Sequence, residues 1–411
     1  MENNIDKGSG QNNPKFLTLD IVFYGGGLNY DQGGSNSQEL KKITMYDGST
    51  HILVSRYAIR YSMLENASKL DFKLAGPNDF NKSMNEEKES NREIKENSDN
   101  VADEENNNET ENNSDTNEKS KNNTVIQPKA TAVLKFPEFD LFGYMITTKE
   151  GGKTTKKKGE KKGDTYSRVS PVKISHAISL TPYNFDSQSL FNLGVTKRAG
   201  GIGSDPFTTE EFYGFYVYNI TIDLDRIGVF DNNEVSPEVK TNEYLKNEEE
   251  YFKREFVKLP PDMHNNNFKF EKKPEVKKEL IKKLLKVIMY LKRDIKGRRE
   301  DLSPWLVVGG KYNDSCYDSF IDKITLMKKT ELNTTRGEEH INEGNKNITK
   351  ISYTEEKSNG PKFVIGNLTD NSGKYIKTYA LPGVFVNGKT TDFDNKEKFI
   401  EWLLNGVFDG V

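Results

Sequence analysis

The chain has 411 residues, 33% of them hydrophobic and 30% charged, and this low apolar fraction predicts one large domain or two ordinary ones with some unfolded chain. Its single cysteine, Cys316, excludes a disulfide framework and a cysteine-based zinc site, and no run approaches the ~20 apolar residues of a membrane span, so we expect a cytoplasmic protein without a membrane partner. The net charge of −3 combines an acidic segment with a mildly basic remainder, which permits a polyanionic partner without requiring one.

The first predicted elements are a strand over 16–26, an apolar run closed by glycines, and a helix over 55–67. Ser55 is placed to cap the N-terminus of this helix, and Ile59 and Met63 supply its apolar stripe.

The same helix carries Arg56 and Arg60 four residues apart, which places them on one face near its N-terminus. Free backbone N–H groups, a partial positive charge and forked guanidinium donors suit phosphate at such a place. From spacing alone, a solvated pair is the preferred interpretation. Tyr57 and Tyr61 either stack on a nucleotide or pack against the sheet, and we favour packing.

Residues 81–124 hold 13 acidic and 6 basic residues, a local charge of −7, against 54 basic and 50 acidic residues in the rest of the chain. The segment has no aromatic residue and cannot bury enough apolar surface to offset its ordering entropy, so we predict disorder. An apolar piece of undefined type follows at 133–147. The Lys/Gly loop 149–164 is either solvated or contacts nucleic acid through Lys156, Lys157, Lys158, Lys161 and Lys162.

Two strands follow the lysine loop. The alternation over 170–180 predicts a half-buried strand with His176 on its buried face. Residues 212–224 predict a second strand, in which Tyr216 and Tyr218 face the core rather than stack on RNA as in an RRM domain.

Two more basic pairs lie outside the predicted strands. Lys197 and Arg198 sit in the Gly-, Ser- and Thr-rich excursion 181–211, which is either a plain surface hairpin or a ligand contact. Arg298 and Arg299 follow a helix, whose C-terminus favours cations in any case.

The strongest helical period covers 274–295, and 303–310 reads as the last strand of the core. The element order over 16–310 is therefore βαββαβ, the ferredoxin-like arrangement, with both helices on one face of an antiparallel sheet and the other face open.

No catalytic or metal-binding constellation is predicted, and no cofactor is expected. None of the four histidines has a second His or Cys at metal-ligand spacing. Asp223 and Asp225 share one side of a strand end, where two solvated acids are a better account than a cation site. Each basic cluster taken singly is better explained as solvated. Four of them around a core without catalytic residues favour a nucleic-acid-binding scaffold over an enzyme.

Five motifs identify a family resemblance, and they occur in the order "HILVSRYAIRYSM", "FDLFGYM", "SPVKISHAISL", "EFYGFYVYNITIDLDRIG" and "GRREDLSPWLVVGG". The set resembles the DevR-type family of CRISPR-associated proteins, RAMP-superfamily backbone subunits of type I (I-B-like) Cascade complexes. The resemblance covers most of 16–310.

The resemblance implies an α+β fold in which a single RRM-like domain over 1–411 forms a βαββαβ palm. It also implies a finger-type insertion at 67–168, a thumb-like excursion at 181–211 and a C-terminal extension at 311–411. Such subunits are non-catalytic and polymerise along the guide RNA (crRNA). Their implied partners are crRNA, other copies of the chain, other Cascade subunits and target DNA.

Site residues carry over by motif. The resemblance implies that Ser55, Arg56 and Arg60 hold guide-RNA phosphates, and that Lys197 and Arg198 reach a kinked nucleotide or a neighbouring subunit. Arg298 and Arg299 are a weaker carry-over to RNA, and the lysine loop is assigned to the target strand.

Two alternatives stay open. A type III-like relative would cleave target RNA with a metal ion and a loop aspartate, for which Asp186 and Asp205 are available. A stand-alone RNA-binding module would bind RNA without assembling.

Overall fold

The computed structural model describes the chain in thirteen stretches, namely residues 13–31, 37–82, 126–147, 164–191, 193–198, 200–201, 206–257, 269–327, 335–343, 346–354, 361–366, 376–387 and 391–409. The predicted disordered segment 81–124, apart from its first two residues, and the lysine loop 149–164, apart from its last residue, lie outside these ranges. Both predictions therefore stay predictions.

The described helices are α1 (Arg56–Ser68), α2 (Pro137–Phe142), α3 (Leu193–Arg198), α4 (Asn242–Asn247), α5 (Glu249–Glu255), α6 (Pro274–Met289) and α7 (Lys396–Leu404). The described strands are β1 (Phe16–Gly26), β2 (Ser37–Gln38), β3 (Lys42–Thr44), β4 (Thr50–Val54), β5 (Phe80–Lys82), β6 (Ile126–Pro128), β7 (Tyr144–Thr147), β8 (Thr165–Arg168), β9 (Val172–Ile174), β10 (Ala177–Ser179), β11 (Ser187–Leu190), β12 (Phe207–Glu210), β13 (Tyr213–Asp223), β14 (Val229–Asp231), β15 (Lys269–Glu271), β16 (Lys292–Ile295), β17 (Arg298–Asp301), β18 (Leu306–Tyr312), β19 (Ile324–Leu326), β20 (Thr335–Glu343), β21 (Lys346–Thr354), β22 (Lys362–Ile365), β23 (Ile376–Ala380) and β24 (Phe385–Val386). Within the described ranges, every helix is too short or too polar to cross a bilayer.

A large antiparallel sheet organises the fold, in the order β23-β18-β1-β13-β10-β4-β3, with β9 also paired to β13. The first strand, β1, lies between β13 and β18, and its eleven residues pair with β13 from Phe16↔Asp223 to Gly26↔Tyr213. The predicted α+β class with an antiparallel sheet is confirmed.

Alternation along β1 and β13 divides the core between the two faces of the sheet. One face packs against α1, α6 and α7 and buries Tyr216 and Tyr218 completely, as predicted from the sequence. The burial of these apolar faces against one another is the main force holding the layers together.

The opposite face, predicted to be open, is covered by the C-terminal part of the chain, so that prediction is wrong. Val22, Val217 and Val308 on this face pack under Phe320 and Phe363. Sequence periodicity gave no sign of this cover because Val22 and Val217 lie more than 100 positions from Phe320 and Phe363 in the sequence.

Asp20, fully buried in β1, connects the sheet to the C-terminal residues that cover this face. One carboxylate oxygen accepts from Phe320 N at 2.9 Å, and the other accepts from Asn219 Nδ2 at 2.8 Å and Ser319 Oγ at 3.3 Å. Burial raises the pKa of this carboxyl, and the Phe320 amide bond opposes the rise.

Asp20→Asn is expected to lower the free energy of unfolding by about 1–3 kcal/mol. Whichever way the new amide turns, its NH₂ group faces a donor, either Phe320 N–H or Asn219 Nδ2. Urea unfolding of this variant should be compared with Asp225→Asn, an exposed acid whose ion pair with Lys15 spans 3.8 Å. Equal stability of the two variants would contradict the fastening role.

A second hydrophobic core lies outside the main sheet. It combines Phe136 and Phe139 from the predicted insertion with Phe230, Phe252 and Phe270 from a region far along the chain. The sequence pattern predicts no element between 225 and 273, so this core was not expected.

A buried guanidinium links the two cores. Arg168 donates all five of its N–H bonds: to the Asp140 carboxylate at 2.8 Å, to Glu234 at 2.9 Å, and to the carbonyls of Asp140, Arg226 and Val229. The side chains of Arg168 and Asp140 are both fully buried. This network explains why the "FDLFGYM" motif contains an acid, because Asp140 is the carboxylate that pairs with the buried guanidinium.

The strand predicted over 170–180 is interrupted. The pairing with β13 shifts by one residue between Ile174↔Ile220 and Ile178↔Val217, so one extra residue is inserted, a β-bulge. The bulge reverses the alternation, which buries Ala177 and exposes His176. The predicted burial of His176 is therefore wrong.

The helix predicted over 274–295 ends at Met289. Beyond it, β16 and β17 form a hairpin whose two-residue turn, Lys296-Gly297, has positive φ at both positions, 49° and 75°. This turn overrides the helical period that Leu291 and Ile295 continue in the sequence.

Candidate nucleic-acid interface

The N-terminus of α1 is held by side chains on both sides. Ser55 caps the helix as predicted, because its Oγ accepts from Ala58 N at 3.2 Å, while its own N–H donates to Asn29 Oδ1 at 2.9 Å. His176 Nδ1 accepts from Arg56 N at 3.1 Å. The bulge that exposes His176 thus fixes the first turn of the helix.

A cleft of about 330 Å³ opens beside this helix end, between α1, α2 and β9. Eight residues line it, namely Arg56, Tyr57, Arg60, Phe142, Ser170, Val172, Lys173 and Ile174. Three of the eight are cations and none is an acid. The structure therefore brings Arg56 and Arg60 into one concave site and adds Lys173 to them.

The guanidinium groups of Arg56 and Arg60 each lie against an aromatic ring. Arg56 lies 4.9 Å from the centre of the Tyr57 ring and donates to its hydroxyl at 3.0 Å, and Arg60 lies 5.0 Å from the centre of the Phe142 ring. Neither arginine forms an ion pair in the part of the chain that the structure describes.

Arg60 is partly withdrawn from water. Burial lowers the pKa of its guanidinium, and the charge of Glu138 opposes that shift. Glu138 is itself occupied, since its carboxylate accepts from Ala75 N at 2.7 Å. An arginine stays charged in such a site, so a partly desolvated cation without an ion-pair partner favours an incoming anion.

Tyr57 and Tyr61 are 64% and 58% exposed, so the packing favoured from the sequence is wrong for both. Their environments differ. Tyr57 lines the cleft beside Arg56, whereas Tyr61 points elsewhere on the helix and donates to Glu65 at 2.7 Å.

Lys197 and Arg198 lie in the last turn of α3, exposed, and do not line the cleft. The excursion that carries them is anchored at its base by the buried Glu210, which accepts from Leu40 N at 2.8 Å and Lys42 Nζ at 2.7 Å. Phe185 and Phe191 of this excursion are 74% and 54% exposed.

Arg298 and Arg299 lie on β17 and are engaged with neighbouring acids. Arg298 approaches Glu211 at 3.4 Å and donates to Tyr213 Oη at 3.2 Å. Arg299 forms a two-pronged bond with Asp294 at 2.7 and 2.9 Å. Neither lines the cleft, and their contact with RNA stays a prediction.

One cation of the cleft was not predicted from the sequence. Lys173 was assigned to the polar face of a strand, which is correct. That assignment did not show which helix lies next to the strand. Only the pairing of β10 with β4, which leads into α1, shows that this strand lies beside the two arginines.

The described residues contain no group of three or more His, Cys, Asp or Glu placed to hold a metal ion. Of the two aspartates weighed for RNA cleavage, Asp186 is exposed at the start of the excursion, and Asp205 lies outside the described residues.

A family comparison covers both the sheet and the cleft. The model described as "CRISPR-associated negative auto-regulator DevR/Csa2" matches residues 17–314, from β1 through β18. The chain belongs to the DevR/Csa2 family. The resemblance inferred from the five motifs is thereby confirmed, and the matched range contains every lining residue of the cleft.

No curated protein matches this DevR/Csa2-family chain. Two solved structures are similar to it at 10% identity. One, titled "CRISPR RNA-guided surveillance complex, pre-nicking", has a TM-score of 0.40 over 75% of this chain and 81% of that chain. The other, "CRISPR RNA-guided surveillance complex", has a TM-score of 0.35 over 75% and 73%. Likenesses of this degree carry no functional conclusion.

Proposed function

We propose that this DevR/Csa2-family chain is a non-catalytic backbone subunit of a Cascade-type surveillance complex, which polymerises along crRNA and holds its sugar-phosphate backbone. One observation carries the proposal: Arg56, Arg60 and Lys173 converge on a cleft that no acid lines among the described residues. The family membership supplies the RNA-guided context.

The chemistry of the cleft suits phosphate better than base edges. Guanidinium and ammonium groups bind phosphate oxygens irrespective of sequence, and such contacts position a strand without reading it. A subunit that carries any guide must bind in this way, because base pairing between guide and target does the reading.

The strand order supports an RRM-like palm, with β1 central and both long helices, α1 and α6, on one face. RRM domains stack bases on the opposite sheet face. Here Phe320 and Phe363 cover that face. We therefore place the RNA at the end of α1, beside the sheet rather than on it.

The excursion between β10 and β13 supports the assembly part of the proposal. It presents exposed Phe185 and Phe191 together with the cations Lys197 and Arg198. Such a surface suits a neighbouring copy and the RNA that runs between copies. Other Cascade subunits and target DNA complete the proposed partners, with the lysine loop 149–164 assigned to the target strand.

The test is native mass spectrometry of the purified chain with guide-like RNAs of increasing length. A backbone subunit should add copies in regular steps as the RNA lengthens, with contacts between adjacent copies raising the affinity of the later ones. Independent binding with no cooperativity would favour the stand-alone RNA-binding module instead.

The proposal that the subunit does not cleave RNA is tested separately. The RNA-bound assembly is incubated with complementary RNA and Mg²⁺, and the target is expected to stay intact. Regularly spaced, metal-dependent cuts that disappear in Asp186→Asn or Asp205→Asn would contradict the proposal and favour the type III-like alternative.

A further inference from the structure

We propose that the cleft beside α1 takes one whole unpaired nucleotide, with its base on Tyr57 and its phosphate between Arg60 and Lys173. This rests on the proposed function and extends it, because a backbone grip alone requires only phosphates. The ligand class is single-stranded nucleic acid.

The cleft is a side-chain site rather than a bare helix terminus. The backbone N–H groups of Arg56 and Ala58 are already bonded to His176 and Ser55. Ligand binding here therefore depends mainly on the side chains that line the cleft. Its volume of about 330 Å³ lies at the lower end of the range for small-molecule sites, which suits one nucleotide.

The ring of Tyr57 is positioned to stack on a base. Tyr57 is 64% exposed, and the Arg56 guanidinium fixes its ring by lying 4.9 Å from the ring centre and donating to the hydroxyl at 3.0 Å. The hydroxyl accepts that bond and keeps its own hydrogen free to donate to a ribose or phosphate oxygen. Stacking on an aromatic ring tolerates every base, as a guide carrier requires.

Lys173 supplies the third cation from the opposite wall. It is exposed on β9 and forms no ion pair among the residues that the structure describes. The charge of Lys173 acts on the carboxyl of Asp223, but only weakly. Burial raises the pKa of that carboxyl, and the charge of Arg226 opposes the rise more than the charge of Lys173 does. Lys173 therefore remains available to a phosphate.

A duplex is excluded by this arrangement. A base inside a duplex is stacked on both sides and cannot present a face to Tyr57 without leaving the helix. The cleft should thus distinguish strands by the availability of a free base, a property that phosphate contacts lack.

The experiment measures the affinity of the full chain for four probes of equal length: oligouridylate, oligodeoxythymidylate, an abasic ribose-phosphate oligomer and an RNA duplex. Tyr57→Ala should weaken oligouridylate binding about 10-fold or more and weaken abasic and duplex binding much less. Tyr57→Phe, which keeps the ring, should retain most of the affinity. Tyr61→Ala is the matched control, since Tyr61 is equally exposed on the same helix but does not line the cleft.

For Lys173, the readout is the salt dependence of oligouridylate binding. Lys173→Met should flatten the slope of log affinity against log salt by about 0.7, whereas Lys282→Met, an exposed lysine of α6, should not change it. An effect of Tyr57→Ala on oligodeoxythymidylate equal to that on oligouridylate would extend the site to DNA, and a smaller one would assign it to RNA.

Equal weakening of the abasic and oligouridylate probes by Tyr57→Ala would overturn the nucleotide site, as would equal affinity of the unaltered chain for those two probes. These outcomes leave the phosphate grip intact, because Arg56→Ala with Arg60→Ala would still weaken every probe. Failure of that arginine pair would instead overturn the proposed function.

Discussion

Replacing Arg56 and Arg60 together by alanine is expected to weaken RNA binding at least about 100-fold at moderate salt, equally for all sequences. A hydrogen bond to a charged group contributes about 1.5–3 kcal/mol, and two are lost. Because each single-strand phosphate contact contributes about 0.7 to the salt slope, the slope should flatten by about 1.4.

The matched control is Lys282→Ala with Lys286→Ala, which removes two cations from α6 without touching the cleft. It lowers the net charge by the same amount and should change affinity little. If both double variants lost the same affinity, general charge rather than the cleft would hold the RNA.

Arg168→Met is expected to lower the free energy of unfolding by about 3–5 kcal/mol, the largest stability effect predicted for the described residues. The substitution leaves the Asp140 carboxylate buried, with Lys272 Nζ at 3.4 Å as its remaining cation, and leaves the carbonyls of Arg226 and Val229 without their donor. Urea unfolding followed by circular dichroism measures the loss.

The control for this prediction is Lys253→Met, which removes the cation of an exposed ion pair with Glu249 on one helix face. Such pairs contribute about 0.3–0.5 kcal/mol. A loss below about 1 kcal/mol for Arg168→Met would show that the network does not join the two cores in the way its geometry indicates.

Local signals in the sequence predicted local structure well. Ser55 before an apolar stripe marked the start of α1, and the alternation through Tyr216 and Tyr218 marked the buried face of β13. Each of these depends on contacts within a few residues or on one periodic face, which a single sequence displays directly.

The failures share a long-range cause. His176 is exposed because a bulge against β13 shifts the alternation, and the helix after Pro274 stops early because its next residues pair as a hairpin on α1. The cover over Asp20 comes from residues some 300 positions away. None of these partners can be chosen from periodicity alone.

The residues of the site show the same difference between local and long-range signals. Arg56 and Arg60 were found because they are neighbours on one helix, and the family resemblance raised them above a solvated pair. Lys173 was missed because it reaches the cleft only through the sheet. Tyr57 was misassigned because exposure of an aromatic residue depends on what packs over it.

The most direct test of the central claim is sequencing of the nucleic acid that co-purifies with the chain from its host. We expect small RNA of defined length with repeat-derived ends, carried by the unaltered chain and lost from the Arg56→Ala, Arg60→Ala variant. Recovery of the chain without RNA, or with a random mixture of cellular RNA that the variant retains, would contradict the assignment as a guide-RNA backbone subunit.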